Sequence, residues 1–247
     1  MNIEFDKTKY FDPYDLTKKE ALYYINNYGM RLYKLPSDRR ERQIVLAAVK
    51  KDGNALQYAN DEIKADRGVV LTAVKNDGSA LKYASDDLKA DREVVLTAVK
   101  NDGSALEYAC DELMADREVV LTAVKNDGSV MEYACDELKA DREVMLTAVK
   151  DYDYWSYYAN EELMADKDFI LKAVKKNGLA LENACDELKA DKKVVLAAVK
   201  QSGLALRYAD ESLKSDKDVV LTAVIQDGDA LQMSLRVNRS SYARSGF

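Results

Sequence analysis

Histidine is absent from the 247 residues. Its absence removes the Ser-His-Asp and Cys-His nucleophile systems, imidazole metal sites and the usual general base near neutral pH. Any catalysis would fall to carboxylates, Lys, Tyr or Cys. Breakers are also scarce, with 10 Gly and 2 Pro, both prolines lying before residue 37. So few interruptions predict an almost wholly helical chain with short turns. No apolar run approaches the ~18 residues that a membrane span requires. The stretch MNIEFDKTKYFDPYD lacks the apolar core of a signal peptide, so a cytoplasmic protein is expected, with signal-independent export left open. An excess of positive charge is missing too: 37 Lys and Arg face 44 Asp and Glu, a net charge of −7. That balance argues against a dedicated nucleic-acid binder, which works by displacing counterions with a basic surface.

What is present is a core and a repeat. Apolar residues make up 47% and charged residues 33%, enough to bury a core. Repeats begin at Glu41, Asp66, Asp91, Asp116, Asp141, Asp166, Asp191 and Asp216, 25 residues apart each time. A degenerate leading repeat places Leu22, Ile25, Gly29 and Leu32 where Leu96, Val99, Gly103 and Leu106 fall.

Each position predicts a local role. Asp91 reads as the N-cap of a helix whose Val94, Val95, Ala98 and Val99 form an apolar stripe widened by Leu96. Gly103 reads as the left-handed residue just past its end. Ser104 with Glu107, and Ser129 with Glu132, fit the capping box of a second, shorter helix. Ala105, Leu106 and Ala109 supply its buried face, and Leu113 closes the repeat. Isolated helices this short are marginal in water, and the stripe is too wide for one short partner. Stacking on both neighbours covers it. The expected fold is all-α: an α-solenoid of eight 25-residue helical-hairpin repeats over 41–235. A tyrosine-rich N-terminal cap holding the degenerate repeat spans 1–40, and a polar tail spans 236–247.

The pattern D-[RK]-x-x-V-L-x-A-V-K-x-x-G-x-A-L-x-Y-A-x-[DE]-E-L-K resembles a family of tandem repeats known as a domain of unknown function. The resemblance covers about residues 41–235. It implies helical tandem repeats and carries over no catalytic residue. Departures are Asp153 for the glycine, Asn183 and Met233 for the tyrosine, Ile225 for the lysine and Ser156 for the leucine.

Cys110, Cys135 and Cys185 share one repeat position, filled elsewhere by Asn60, Ser85, Asn160 and Asp210. Small residues sharing a niche account for them better than a metal or redox set. NDGSALE does not fit an EF-hand loop either, because Ala98, Lys100 and Ala109 stand where ligands would be needed. No cofactor and no metal is expected.

Two charge ladders run along the repeats. One is basic: Arg42, Arg67, Arg92, Arg117, Arg142, Lys167, Lys192 and Lys217. The other is a row of acidic pairs such as Asp86–Asp87 and Asp111–Glu112. Bridging of each basic residue to an acidic pair is the expectation; a polyanion or nucleic-acid site on the basic ladder is the alternative. The fifth repeat reads Asp151-Tyr152-Asp153-Tyr154-Trp155-Ser156-Tyr157-Tyr158, with Tyr152, Tyr154 and Tyr157 at positions that are usually polar, as Asp102, Ser104 and Glu107 are. Tyr152, Tyr154, Trp155 and Tyr157 are therefore candidate binding residues, with Trp155 itself expected to be buried. A local structural departure would account for them equally well.

The functional expectation is a non-enzymatic repeat scaffold for protein–protein or protein–peptide interaction. A monomer is favoured and nucleic acid and membrane are disfavoured as partners. A carboxylate-based enzyme is the remaining alternative, and would need a pocket near residues 151–162.

Overall fold

The computed structural model describes residues 16–28, 31–149 and 155–232, which form helices joined by short turns with no strand among them. The chain divides into two compact bodies, Met1–Leu113 and Met114–Phe247. The first contains α1 (Lys18–Tyr28), α2 (Arg42–Val49), α3 (Asp61–Lys64), α4 (Arg67–Asn76), α5 (Asp86–Lys89) and α6 (Arg92–Asn101). The boundary runs through α7 (Asp111–Met114). The second contains α8 (Arg117–Asn126), α9 (Asp136–Lys139), α10 (Arg142–Ala148), α11 (Trp155–Tyr158), α12 (Glu161–Ala165) and α13 (Lys167–Lys176). It continues with α14 (Asp186–Lys189), α15 (Lys192–Gln201), α16 (Glu211–Lys214) and α17 (Lys217–Gln226).

Within each body the repeats stack as expected for a helical solenoid. In the first, α2, α4 and α6 pack in succession; in the second, α8 packs on α10, α10 on α13, α13 on α15 and α15 on α17. The long helices form because their aspartates cap them: Asp91 Oδ1 accepts from the backbone N–H of Glu93 and Val94, each at 3.0 Å. The apolar stripe then faces inward, with Val94, Val95, Ala98 and Val99 fully buried. Each buried valine contributes about 1.5–3 kcal/mol relative to exposure. In the leading repeat, Ile25 of α1 and Leu32 are buried in the same manner and α1 packs on α2.

The second arm of the hairpin is not the single short helix predicted above. After α6 comes a 3-10 helix, Gly103–Tyr108, and only then the short α7; Gly53–Tyr58, Gly78–Tyr83, Gly128–Tyr133, Gly178–Asn183 and Gly203–Tyr208 are equivalent 3-10 helices. The expected capping box on Ser104 is replaced by an Asp102 cap, whose carboxylate accepts from the Ser104 N–H at 3.0 Å and from its hydroxyl at 2.7 Å. Asp127 does the same for Ser129. An extended Ala–X pair then breaks the second helix in two, as at Ala84 and Ser85. That break directs a backbone N–H at the preceding repeat: Ser85 donates to the Lys64 carbonyl at 3.0 Å and Cys110 to that of Lys89 at 3.1 Å.

The glycine has a different role from the one predicted. Asp77, before Gly78, is extended at φ −146° and ψ 112°, and Gly78 opens the 3-10 helix rather than closing the α-helix in a left-handed conformation. What requires glycine is the next repeat. A Cβ on Gly53 would stand 2.5 Å from the Ala73 carbonyl oxygen, and one on Gly178 would stand 2.5 Å from that of Ala198. The missing side chain lets one repeat lie against the backbone of its successor.

Candidate functional site

The same close approach is fastened by a side-chain amide. The Gly53 N–H donates to Asn76 Oδ1 at 2.7 Å, while Asn76 Nδ2 donates to the Lys50 carbonyl at 3.2 Å. Gly78 and Asn101 repeat the arrangement, with Asn101 reaching the Lys75 carbonyl. In α15 and α17 glutamine replaces asparagine: Gln201 accepts from Gly178 and donates to the Lys176 carbonyl, one residue further along than asparagine reaches. Gln226 does likewise with Gly203 and the Gln201 carbonyl. Sequence reasoning missed these amides. The available signal was the pairing of Gly53, Gly78, Gly103, Gly178 and Gly203 with an Asn or Gln 23 residues later; Gly128 has Asp151 there instead. Where Asp153 replaces the glycine, Lys176 replaces the amide, and its Nζ donates instead to the Leu146 carbonyl at 2.8 Å.

The basic ladder joins successive repeats, but to a different partner from the one expected. Arg42 pairs with Asp66 at 2.5 Å, and Arg67 with Asp91 at 2.8 Å and Glu93 at 2.6 Å. Arg117 pairs with Asp141 and Glu143, Arg142 with Asp166, and Lys167 with Asp191. Lys192 meets Asp216 at 2.8 Å and Asp218 at 3.0 Å. The partner is thus the N-cap aspartate of the next repeat, not the acidic pair. Arg92 is engaged as well. Lys217 is the last rung, and the residue 24 beyond it is Ser241 rather than an aspartate. The acidic pairs sit in the first turns of the short helices, where a helix dipole favours negative charge. Hydrogen bonds from the guanidinium or ammonium hold the carboxyls of Asp66, Asp91, Asp141, Asp166, Asp191 and Asp216 below the usual aspartate range. The cation in the first turn is therefore explained by the carboxylate of its successor.

Residues 20–64, 41–89, 66–114, 91–139, 116–164, 141–189 and 191–234 match the family described as Domain of unknown function (DUF4116), each match spanning about two repeats. The chain belongs to the DUF4116 family. No curated protein and no solved structure matches it. Two repeats are also the smallest set that contains the glycine, the amide that receives it and one complete rung of the ladder.

Against the DUF4116 frame the cysteines are ordinary. Cys135 and Cys185 occupy the N-cap position of short helices, where Asn60 and Asn160 accept from the Ile63 and Leu163 N–H groups. Hydrogen bonds from the helix backbone and then from the thiols of Cys110, Cys135 and Cys185 lower the carboxyls of Glu112, Glu137 and Glu187. Among the described residues no cluster of three or more His, Cys, Asp or Glu is placed to hold a metal ion. No described helix is long and apolar enough to cross a membrane.

The fifth DUF4116 repeat departs most from the frame. Tyr152 and Tyr154 lie outside the described residues. Trp155 and Tyr157 belong to α11 and, two residues apart on a helix, face opposite ways: Trp155 is 1% exposed and Tyr157 80%. The Trp155 ring tilts against Phe169 of α13, with centroids 6.0 Å apart. Its bulk occupies the core at a position where Ala105 and Ala180 are small, while Ser156 replaces the fully buried leucine of Leu106 and Leu181. The large and small residues have exchanged places, and the local segment is α-helical where its counterparts are 3-10. Trp155 Nε1 is buried without a hydrogen-bond partner among the described residues. The structure thus separates a packing residue, Trp155, from an outward-facing aromatic, Tyr157.

Proposed function

We propose that the chain is a non-enzymatic scaffold that binds another protein or peptide along the outward faces of its repeats. The observation that supports this reading is variation on the outside over constancy within. The third residue of each repeat is exposed and changes from Gln43 to Gly68, Glu93 and Lys193, whereas the next two residues are always large, apolar and, from Ile44 to Val195, buried. The position of Glu107 changes likewise to Gln57, Tyr157 and Arg207, all exposed. A repeat frame that spends its constant residues on stacking leaves the variable ones to recognition. Tyr157, a large aromatic held out in solvent, is the first contact assigned on this reading. The alternative of a polyanion site on the basic ladder has less support, because the rungs from Arg42 to Lys192 with a resolved partner face carboxylates.

Photo-crosslinking tests the scaffold. A photoreactive phenylalanine derivative is placed at 157 and, in separate variants, at the equivalent exposed positions 107 and 182, and each is irradiated in cell extract. A discrete adduct at 157 that excess unlabelled protein competes away is the expected result. The same faint smear at all three positions would overturn the assignment of Tyr157.

A further inference from the structure

The net charge of the protein is −7, yet one groove is strongly basic. It lies between α13 and α15 and encloses about 860 Å³. Leu171, Leu196 and Ala197 form an apolar floor, and Lys175, Lys193 and Lys200 stand along the rim with Lys192 beside them. The two helices together carry seven lysines and a single aspartate, Asp168. Lys192 is committed to Asp216 and Asp218. Lys175, Lys193 and Lys200 are exposed, and their ammonium groups have no hydrogen-bond or ion-pair partner among the described residues, while the Lys193 backbone N–H donates to Asp191.

The corresponding residues of α4 and α6 differ at four of the lining positions, of which Arg92 for Lys192 and Asn101 for Gln201 keep the chemistry and the other two change it. Glu93 stands where Lys193 does and binds Arg67, and Thr97 stands where Ala197 does and returns its hydroxyl to the Glu93 carbonyl at 2.7 Å. The repeat from Asp191 has therefore reversed a charge and lost a hydroxyl on the same face. Stacking does not explain either change, since both residues point away from the core.

We propose that the α13–α15 groove binds a helical, acid-flanked amphipathic peptide segment of a partner protein. The inference rests on the scaffold reading and narrows it to one surface and one chemistry. A helix of about three turns matches the length of α13 and α15, each of which has 10 residues. Its apolar residues at i, i+3, i+4 and i+7 would lie on Leu171, Leu196 and Ala197. Lys193 and Lys200 are two turns apart, about 10 Å along the axis, and would receive carboxylates with the same seven-residue spacing. Lys175 guards the opposite wall. Nucleic acid fits this groove poorly: no aromatic lines it for base stacking, and no arginine for bidentate phosphate contact.

Fluorescence anisotropy with the full chain tests the groove. The probe is a fluorescein-labelled peptide with leucines at i, i+3, i+4 and i+7 and glutamates on both flanks. Saturable binding is expected, weakened at least about tenfold by Lys193→Glu with Lys200→Glu. Lys193→Gln with Lys200→Gln should give a smaller loss in the same direction. The matched reversal Lys50→Glu with Lys75→Glu, at exposed sites in the first body, should change affinity by less than about twofold, and circular dichroism should show all variants equally helical. The proposal fails if the probe does not bind, if a leucine-to-serine peptide binds as well, or if the reversal at 193 and 200 has no effect. It also fails if oligothymidylate displaces the probe at equal concentration, which would make the groove a general polyanion site. Crosslinking at position 157 reports separately on the scaffold, so the two readings can fail independently.

Discussion

A single hydrogen atom in place of a side chain decides how closely two repeats approach. Added at Gly78, a methyl group would press into the Ala98 carbonyl oxygen and the Asp102 side chain, both of them fixed parts of the next repeat. Gly228, at the same position in the last repeat, has nothing within 4 Å among the described residues. Gly78→Ala is therefore expected to cost about 1–3 kcal/mol in urea denaturation, and Gly228→Ala to leave the midpoint essentially unchanged. Equal costs at the two sites would show that backbone conformation, not proximity, selects glycine. Sequence alone pointed to the conformational explanation because glycine after a helix is so often left-handed. The steric one was hidden, since its other half lies in the following repeat. The same applies to Asn76, which reads locally as an unremarkable helix end and proves to be an acceptor for Gly53. Trp155 was legible, because an aromatic exchanged with a leucine-class neighbour preserves core volume whichever repeat is considered.

At the scale of the element, the long helices were predictable from their caps and stripes, as Asp91 with Val94, Val95, Ala98 and Val99 shows. The 3-10 helix was not, because Asp102 and Ser104 both qualify as caps and only the structure shows the aspartate acting. These caps are also the ladder's acceptors, which gives the helix starts a common pH response. In Asp66, Asp91, Asp141, Asp166, Asp191 and Asp216 the folded-state pKa is depressed, chiefly by the hydrogen-bonded cation of the preceding repeat. A group depressed on folding contributes stability above its unfolded value of about 3.9 and loses it as pH falls through the lower folded value. With no histidine in the chain, nothing of ordinary pKa among its side chains titrates between about 5 and 8. The melting temperature should be flat across that range and fall steeply below about pH 4. A transition centred near pH 6 in thermal melts would contradict both halves of this expectation.

For the molecule as a whole, what matters is that successive repeats within a body share one kind of socket, as Gly53 and Gly78 do in the first body and Gly178 and Gly203 in the second. Removing residues 191–215 would bring Gly178 against Ala223 and Gln226, and Lys167 against Asp216, which are the same residue types at the same positions. The shortened chain should keep its ellipticity per residue and unfold cooperatively. Removing only 191–203 deletes α15 together with its glycine and should unravel the second body, as read by circular dichroism and proteolysis. Equal damage from the two deletions would refute the interchangeable stack. The socket also has a hereditary consequence. Because each glycine answers to the repeat after it and not to its own, a gene segment encoding one repeat can be copied in frame and meet compatible neighbours on both sides from its first generation. Length can then drift by whole repeats without passing through an unfolded ancestor. A change within the clasp, by contrast, touches two repeats at once: Asp153 and Lys176 depart together, whereas Asp151 falls 23 residues after an unchanged Gly128.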